Sequence, residues 1–149
     1  MDSHGDAAPA RLARLPSWLL TQTAAQAHRL VSEGLAEIEA RGYDFRLLAT
    51  LDEFGPASQA ALGRRSGIHF SDVVAALNAL AAQRLVERAP DPDDRRRNII
   101  SITPAGRRRL RQLDRQLARI QDELLHPLAP AERDQLTGLL ARLLAHHSS

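Results

Sequence analysis

Three successive arginines, Arg95, Arg96 and Arg97, end a seven-residue charged stretch, DPDDRRR, that runs from residue 91 to residue 97. A guanidinium group is planar, permanently charged and weakly hydrated, and it offers several N–H donors to phosphate oxygens. The stretch lies between two short runs that favour β-strands, LVERAP before it and NIISIT after it. The pattern predicts a β-hairpin with a cationic tip that suits a polyanion such as DNA. A solvated charged loop without a ligand is the alternative.

The residues before this hairpin predict two helices joined by a tight turn. Gly63, Gly67 and Val73 have helix-turn-helix spacing: a small residue, a glycine four positions later for the turn, and an apolar residue six further on for packing. Such helix pairs also occur in proteins that bind no nucleic acid. A helix pair followed by a charged hairpin indicates DNA binding more specifically than the helix pair alone. Packing alone is the alternative role for Val73. The side chains expected to face DNA are Ser58, which is also the expected N-cap of the first helix, Gln59, His69, Ser71, Asp72, Val73 and Asn78.

Helices are expected to form the framework, because alanine and leucine dominate and aromatic residues make up only 3% of the chain. The fold class predicted is mainly α, a winged helix-turn-helix of about six helices plus a short β-hairpin wing, with a helical dimerisation base. Residues 1–14 are expected to be a disordered N-terminal lead. Two helices are expected before the helix-turn-helix, one from Pro16 to about Arg41 that ends at Gly42, and one from 44 to 54. Two more are expected after the hairpin, one that begins at Thr103 and Pro104, and one from 131 to 146. These four are called the outer helices.

Apolar seams on these outer helices predict contact with a second copy of the chain. In the long helix after Thr103, leucine or isoleucine recurs at spacings of three and four, which is the pattern that a partner helix needs. We assign residues 15–57 and 103–147 to a dimerisation region and residues 58–102 to a DNA-binding lobe. The expected interface residues are Leu20, Leu117, Ile120, Leu124, Leu136, Leu140 and Leu143.

Composition argues against several other classes of protein. The chain has no cysteine, which excludes disulfides and thiolate zinc sites, and it has no glycine-rich phosphate loop or triad spacing, so an enzyme is not expected. His126, His146 and His147 lack the i, i+4 spacing of a helical metal site, so no metal or cofactor is implied. No apolar run is long enough to span a bilayer, so a cytoplasmic protein is expected. The net charge is only +2, yet residues 91–119 carry nine arginines against four acidic residues, which concentrates positive charge where DNA could meet it.

Asp94-Arg95-Arg96, followed after five residues by Ile102-Thr103, resembles the wing signature of the MarR family of multiple-antibiotic-resistance regulators. The resemblance extends over about residues 15 to 146. It implies a homodimer with a winged helix-turn-helix in each lobe and a base built from the first helix and the last two. It also implies that Asp94 holds the wing by pairing with an arginine and that Arg96 enters the minor groove. Arg95 and Arg97 would then lie along the phosphates.

The resemblance also implies a repressor of a roughly palindromic operator, relieved by a small aromatic or phenolic effector bound between the base and each lobe. The residues expected to line that site are Trp18, His28, Phe45 and Arg46, which combine apolar walls, a cation and a titratable ring; core packing is the alternative for each. Two positions depart from the family pattern. Ala75 replaces a residue that is commonly polar or basic, and Arg84 replaces the usual glycine. Arg84 would cost about 1 kcal/mol if its φ were positive.

A helical protein–protein interaction module without DNA binding is the alternative function. In that case the leucine seams would bind a partner protein and the arginines would only keep the surface hydrated. The two functions differ in one simple property, because only a DNA-binding protein is retained on duplex DNA at low salt.

Overall fold

The computed structural model describes residues 7–149. That part of the chain folds into seven helices and a small three-stranded sheet. The helices are α1 (Ala10–Ala13), α2 (Pro16–Ala36), α3 (Gly42–Phe54), α4 (Gln59–Ser66), α5 (Phe70–Ala82), α6 (Pro104–Leu124) and α7 (Pro130–His147). The strands are β1 (Ala57–Ser58), β2 (Val86–Pro90) and β3 (Asn98–Ile102). The sheet packs against α3, α4 and α5. The mainly helical, winged fold class predicted from the sequence is therefore confirmed.

The sheet forms because the two β-prone runs pair as an antiparallel hairpin. Val86 pairs with Ile102 and Pro90 with Asn98, so residues 91–97 form the connecting loop. The short strand β1 adds to the other edge of β3, with Ala57 opposite Ile100. Pairing on both sides leaves Ile100 fully buried at the centre of the sheet. The hairpin is thus fixed to the helical core at its base, and its charged loop projects from the far end.

The helix-turn-helix shares one apolar core with α3 and the sheet. Leu62 of α4 and Val73, Leu77 and Leu80 of α5 are fully buried together with Leu47, Leu48 and Leu51 of α3. Helix α3 packs against α4, α5 and β3, but it packs as extensively against α6 and also contacts α2. It therefore lies between the helix-turn-helix and the helices expected to form the dimerisation region, and the boundary at residue 58 stays a prediction.

The leucine seam of α6 packs inside its own chain. Leu110, Leu113 and Ile120 are buried in the core, and Leu117 packs against it from a partly buried position. A Cβ at Gly34 of α2 would collide with the Ile120 side chain, so the two helices approach closely at that glycine. The assignment of Ile120 to a contact with a second copy is therefore wrong, because α2 already covers that face. An apolar seam defines a buried face, but it does not say whether the covering helix belongs to the same chain.

The N-terminal elements differ from the prediction in two respects. A single helical turn, α1, forms at Ala10–Ala13 within the region expected to be disordered, and residues 1–6 lie outside the described residues. Helix α2 ends at Ala36 instead of about Arg41, and Gly42 begins α3 instead of ending α2.

Two helix ends carry a non-glycine residue with a positive φ. Glu39 has φ 55°, and the amide of Ala40 donates to the carbonyl of Leu35 (2.9 Å), which closes α2 in a Schellman turn. Arg84 has φ 61°, and the amide of Leu85 donates in the same way to Leu80 (3.0 Å) at the end of α5. Glycine is the usual residue at such a position, because a Cβ disfavours the left-handed backbone. The absence of glycine at Glu39 explains why the sequence misplaced the end of α2.

Replacing Arg84 by glycine is expected to stabilise the protein by about 0.5–1 kcal/mol, because glycine relieves the left-handed strain at some cost in chain entropy. Urea denaturation of matched samples measures the difference in the free energy of unfolding. Gln83→Gly is the control, since Gln83 has φ −86° and gains nothing from glycine. A lower stability for Arg84→Gly than for the unmodified chain would contradict the strain.

Thr103 joins the end of α5, the hairpin and the start of α6. Its hydroxyl donates to the Arg84 carbonyl (2.8 Å) and accepts from the Gly106 amide (3.0 Å), so it also serves as the N-cap of α6. Its own amide donates to the Leu85 carbonyl (3.1 Å). Through these contacts the junction sets how the helix-turn-helix and the hairpin are attached to α6.

Candidate nucleic-acid interface

Helix α5 presents its polar residues on one side and its apolar residues to the core. Gly67 takes φ 69° in the turn, and His69 occupies the N-cap position of α5 without a capping hydrogen bond from its side chain. His69, Ser71, Asp72 and Asn78 are exposed, and the His69 ring Nδ1 lies 3.1 Å from the Ser71 hydroxyl. These four residues share the accessible face of the helix, and a DNA-contacting role for them stays a prediction.

Val73 does not belong to that face. Its relative exposure is 0%, and it packs in the core beneath α4. Its assignment as a DNA-contacting residue is wrong, and only the alternative packing role remains. Helical periodicity explains this, because Val73 lies on the same stripe as Leu77 and Leu80 and so faces the interior.

Ser58 and Gln59 lie at the start of α4 and are both half-buried. The Ser58 hydroxyl accepts from the Ala61 amide at 3.2 Å, so the predicted N-cap is confirmed. That contact leaves the hydroxyl hydrogen of Ser58 available to a phosphate oxygen. A DNA contact by either residue stays a prediction.

The hairpin loop is organised around Asp94. One carboxylate oxygen accepts from the backbone amide and the Nε of Arg96, each at 3.1 Å, and the other lies 3.7 Å from the Arg97 Nε. Arg97 also lies 3.6 Å from Asp91, whose side chain is only 13% exposed. Arg95 is exposed, and the Arg96 side chain is 91% exposed. The wing-stabilising role expected of Asp94 agrees with these contacts, and Arg97 is tied to the loop by two carboxylates.

These contacts lower the pKa of the Asp94 carboxyl from its ordinary value of 3.8, mainly through the hydrogen bond from the Arg96 backbone amide and then through the Arg96 side chain. A carboxyl whose pKa falls on folding stabilises the loop above its unfolded pKa, and it loses that contribution as the pH falls through the folded value.

The Asp94 carboxyl of the ordered loop is therefore expected to titrate with a midpoint below pH 3.8. Following the Arg96 backbone amide by NMR during an acid titration measures the midpoint. Asp94→Asn is the control, in which this titration should vanish. A midpoint at or above 3.8 would contradict the arrangement.

A further contact joins the wing to α5. The Arg88 Nη2, from β2, donates to the Asn78 Oδ1 at 2.7 Å, and both residues are exposed. Sequence reasoning missed Arg88, because an isolated arginine in a strand carries no distinguishing pattern. The available signal was a basic residue on the strand that follows the second helix of the helix-turn-helix.

A cavity of about 980 Å³ lies where α2, α3 and α6 meet. Its walls combine apolar side chains with two arginines, a glutamate, a histidine, a tyrosine and a serine. Of the four predicted effector residues, His28, Phe45 and Arg46 line the cavity, and Trp18 does not. The sequence did not place the other lining residues at this site, and they include Arg41, Tyr43, Val31, Leu35, Glu39 and Leu117. Trp18 stands near the start of α2, whereas the cavity lies against the C-terminal half of that helix.

Residues 7–149 contain neither a cluster of metal-ligating side chains nor a membrane-spanning helix. No three histidine, aspartate or glutamate side chains in this part of the chain are grouped as metal ligands would be. No helix there is both long and apolar enough to cross a membrane.

The arrangement of an exposed recognition helix beside an arginine-tipped hairpin defines a winged helix-turn-helix. The family model of the MarR family matches residues 42–97, which include α3, the helix-turn-helix and the wing loop. A solved structure of a probable transcriptional regulator from Pseudomonas aeruginosa is 32% identical with a TM-score of 0.77, and the match covers 89% of this chain and 99% of that one. The chain belongs to the MarR family.

Two further relatives extend the comparison. The PcaV transcriptional regulator of Streptomyces coelicolor, solved in complex with its natural ligand, is 27% identical with a TM-score of 0.75, over 93% of this chain and 98% of that one. A transcriptional regulatory protein described for the hcr operon of Thauera aromatica is 34% identical over 91 residues, 61% of this chain. The match spans only 55% of the length of the Thauera protein.

Proposed function

We propose that this chain is a homodimeric, sequence-specific DNA-binding repressor of the cytoplasm, released from a roughly palindromic operator by a small aromatic or phenolic ligand. The observation that carries the proposal is the juxtaposition of the exposed α5 face with a loop whose Arg96 side chain is 91% exposed. A helix of this kind fits the major groove, and an arginine-tipped loop beside it fits the adjacent minor groove with its negative potential.

Dimerisation is supported by the leucines that the outer helices leave uncovered. Within the described residues, α7 has no buried residue and packs extensively against no other element. Of the predicted interface residues, Leu20, Leu140 and Leu143 are exposed, and Leu117, Leu124 and Leu136 are half-buried. A helix that exposes so many leucines is stabilised by a partner helix, so α7 and the start of α2 would pair with those of a second copy.

Ligand control is supported by the position and chemistry of the cavity. Its walls belong to α2 and α6, which would form the base, and to α3, which packs directly on the DNA-binding helices. Arg41 and Arg46 offer positive charge to an anion, while Phe45 and Leu117 offer apolar surface to a ring. A ligand that binds better to one spacing of the two lobes would shift the dimer away from the spacing that fits the groove repeat.

Selection of bound duplexes from random DNA tests the proposal, with and without phenolic carboxylates. The expected result is an inverted repeat with half-sites about one helical turn apart, enriched without ligand and less enriched with it. Failure to retain any duplex at low salt would overturn the proposal and favour a helical protein–protein interaction module.

A further inference from the structure

The hydrogen bond between Arg88 and Asn78 links the two DNA-facing elements of the lobe. Asn78 lies on the exposed face of α5, and Arg88 lies at the middle of β2, where it pairs with Ile100 of the central strand. The distance from Nη2 to Oδ1 is 2.7 Å, and the two residues are ten apart in sequence. The contact therefore depends on the tertiary arrangement of helix and wing.

This contact changes what Asn78 can do at DNA. Asparagine reads adenine with both halves of its amide, because the oxygen accepts from N6 while the nitrogen donates to N7. In this chain the Asn78 oxygen already accepts from Arg88. The residue is consequently poorly suited to the two-point recognition of a base.

The same contact leaves Arg88 largely available. Of the five N–H groups of a guanidinium, the bond to Asn78 uses one. No carboxylate among residues 7–149 lies within ion-pair distance of Arg88. The neighbouring Glu87 points to the opposite face of the strand, because side chains alternate along β2. Arg88 thus offers an uncompensated positive charge, held in a defined position.

In the proposed complex, Arg88 lies where the sugar–phosphate backbone between the two grooves has to pass. A single sugar–phosphate backbone separates the major groove from the adjacent minor groove. If α5 lies in the first groove and the wing tip in the second, that backbone must pass the junction of α5 and β2. Arg88 stands at this junction.

We propose that Arg88 binds a phosphate of the strand that runs between the two grooves, and that Asn78 is a positioning residue that orients its guanidinium. This inference rests on the proposed DNA-binding function. It gives Asn78 an indirect role in place of the direct DNA contact expected from the sequence, and it adds to the interface a residue outside the wing tip.

The test compares Arg88→Gln, Arg88→Ala and Asn78→Ala dimers with the unmodified protein on a selected duplex and on random duplex. Arg88→Gln keeps a donor for Asn78 but removes the charge. Both Arg88 variants should lose affinity at least about tenfold on either duplex, since a hydrogen bond to a charged group is lost in each lobe. The slope of log affinity against log salt should become shallower by about 1.8, from two lost phosphate contacts per dimer.

Asn78→Ala should weaken binding less and leave the preferred sequence unchanged. Arg115→Ala is the control for the loss of one exposed arginine, because Arg115 lies at the middle of α6 and away from this junction. Arg88 variants with the unmodified slope, or an Asn78→Ala variant with a changed base preference at one position, would overturn the inference. If the unmodified dimer binds no duplex, the proposed function itself fails, whereas an unchanged slope in a protein that binds DNA removes only the role of Arg88.

Discussion

Arg96→Ala is expected to weaken operator binding by about a hundredfold while leaving the dimer intact. The Arg96 side chain is 91% exposed, and its only ion pair within residues 7–149 uses Nε, at 3.1 Å from Asp94. Its two terminal nitrogens therefore remain available to DNA. Loss of about 1.5 kcal/mol from each charge-assisted contact, once in each lobe, gives this factor. Fluorescence anisotropy with a labelled operator duplex measures the change.

The control for this prediction is again Arg115→Ala, which removes one exposed arginine from the middle of α6. Its affinity should stay within about a factor of three of the unmodified protein, as expected for a distant, screened charge. Sedimentation shows whether both variants remain dimers. Equal operator affinity for Arg96→Ala and the unmodified protein would contradict the assignment of the wing.

Gly106→Ala is expected to lower the free energy of unfolding by about 3 kcal/mol, since overpacking a buried contact costs a few kcal/mol. A Cβ at Gly106 would collide with the Leu85 carbonyl oxygen and would lie 2.8 Å from the Ile102 side chain. That carbonyl accepts from the Thr103 amide, so moving it away also strains the junction between α5, the hairpin and α6. Urea denaturation at a fixed protein concentration measures the loss.

Gly63→Ala is the matched control in the same lobe. The nearest atom to its new Cβ would be Val73 Cγ2 at 3.6 Å, an ordinary van der Waals contact. Its stability should equal that of the unmodified protein or exceed it by up to about 1 kcal/mol, from the better helix propensity of alanine. If Gly106→Ala proved as stable as Gly63→Ala, the close packing of α6 against Leu85 would be wrong.

Local patterns were sufficient to predict the helix-turn-helix and the hairpin of the lobe, but not the short strand β1. Turn chemistry identified Gly67, a capping hydroxyl identified Ser58 and Thr103, and β-prone runs on either side of a charged loop identified the wing. Each of these features depends on residues close together in sequence. Arg84 was singled out by the family resemblance, because glycine is usual at its position, and its φ of 61° is in the left-handed region.

Features that depend on tertiary neighbours were less accessible. The apolar seam of α6 was assigned to contact with a second copy of the chain. Sequence periodicity shows that this face is buried, but it cannot show that α2 of the same chain covers it at Gly34. Arg41 and Tyr43 line the cavity because the chain turns between α2 and α3. That turn requires a positive φ at Glu39, and the sequence did not reveal it because the residue there is not glycine. The bond from Arg88 to Asn78 requires the orientation of β2 against α5, which no local pattern contains.

The salt dependence of duplex binding by the unmodified dimer tests most directly whether the wing and α5 hold DNA through phosphates. We predict that log affinity falls linearly with log salt, with a slope of about −3.6 or steeper, corresponding to at least two phosphate contacts in each lobe at about 0.9 each. A slope near zero between about 50 and 200 mM salt, or no binding at the lower concentration, would contradict the account.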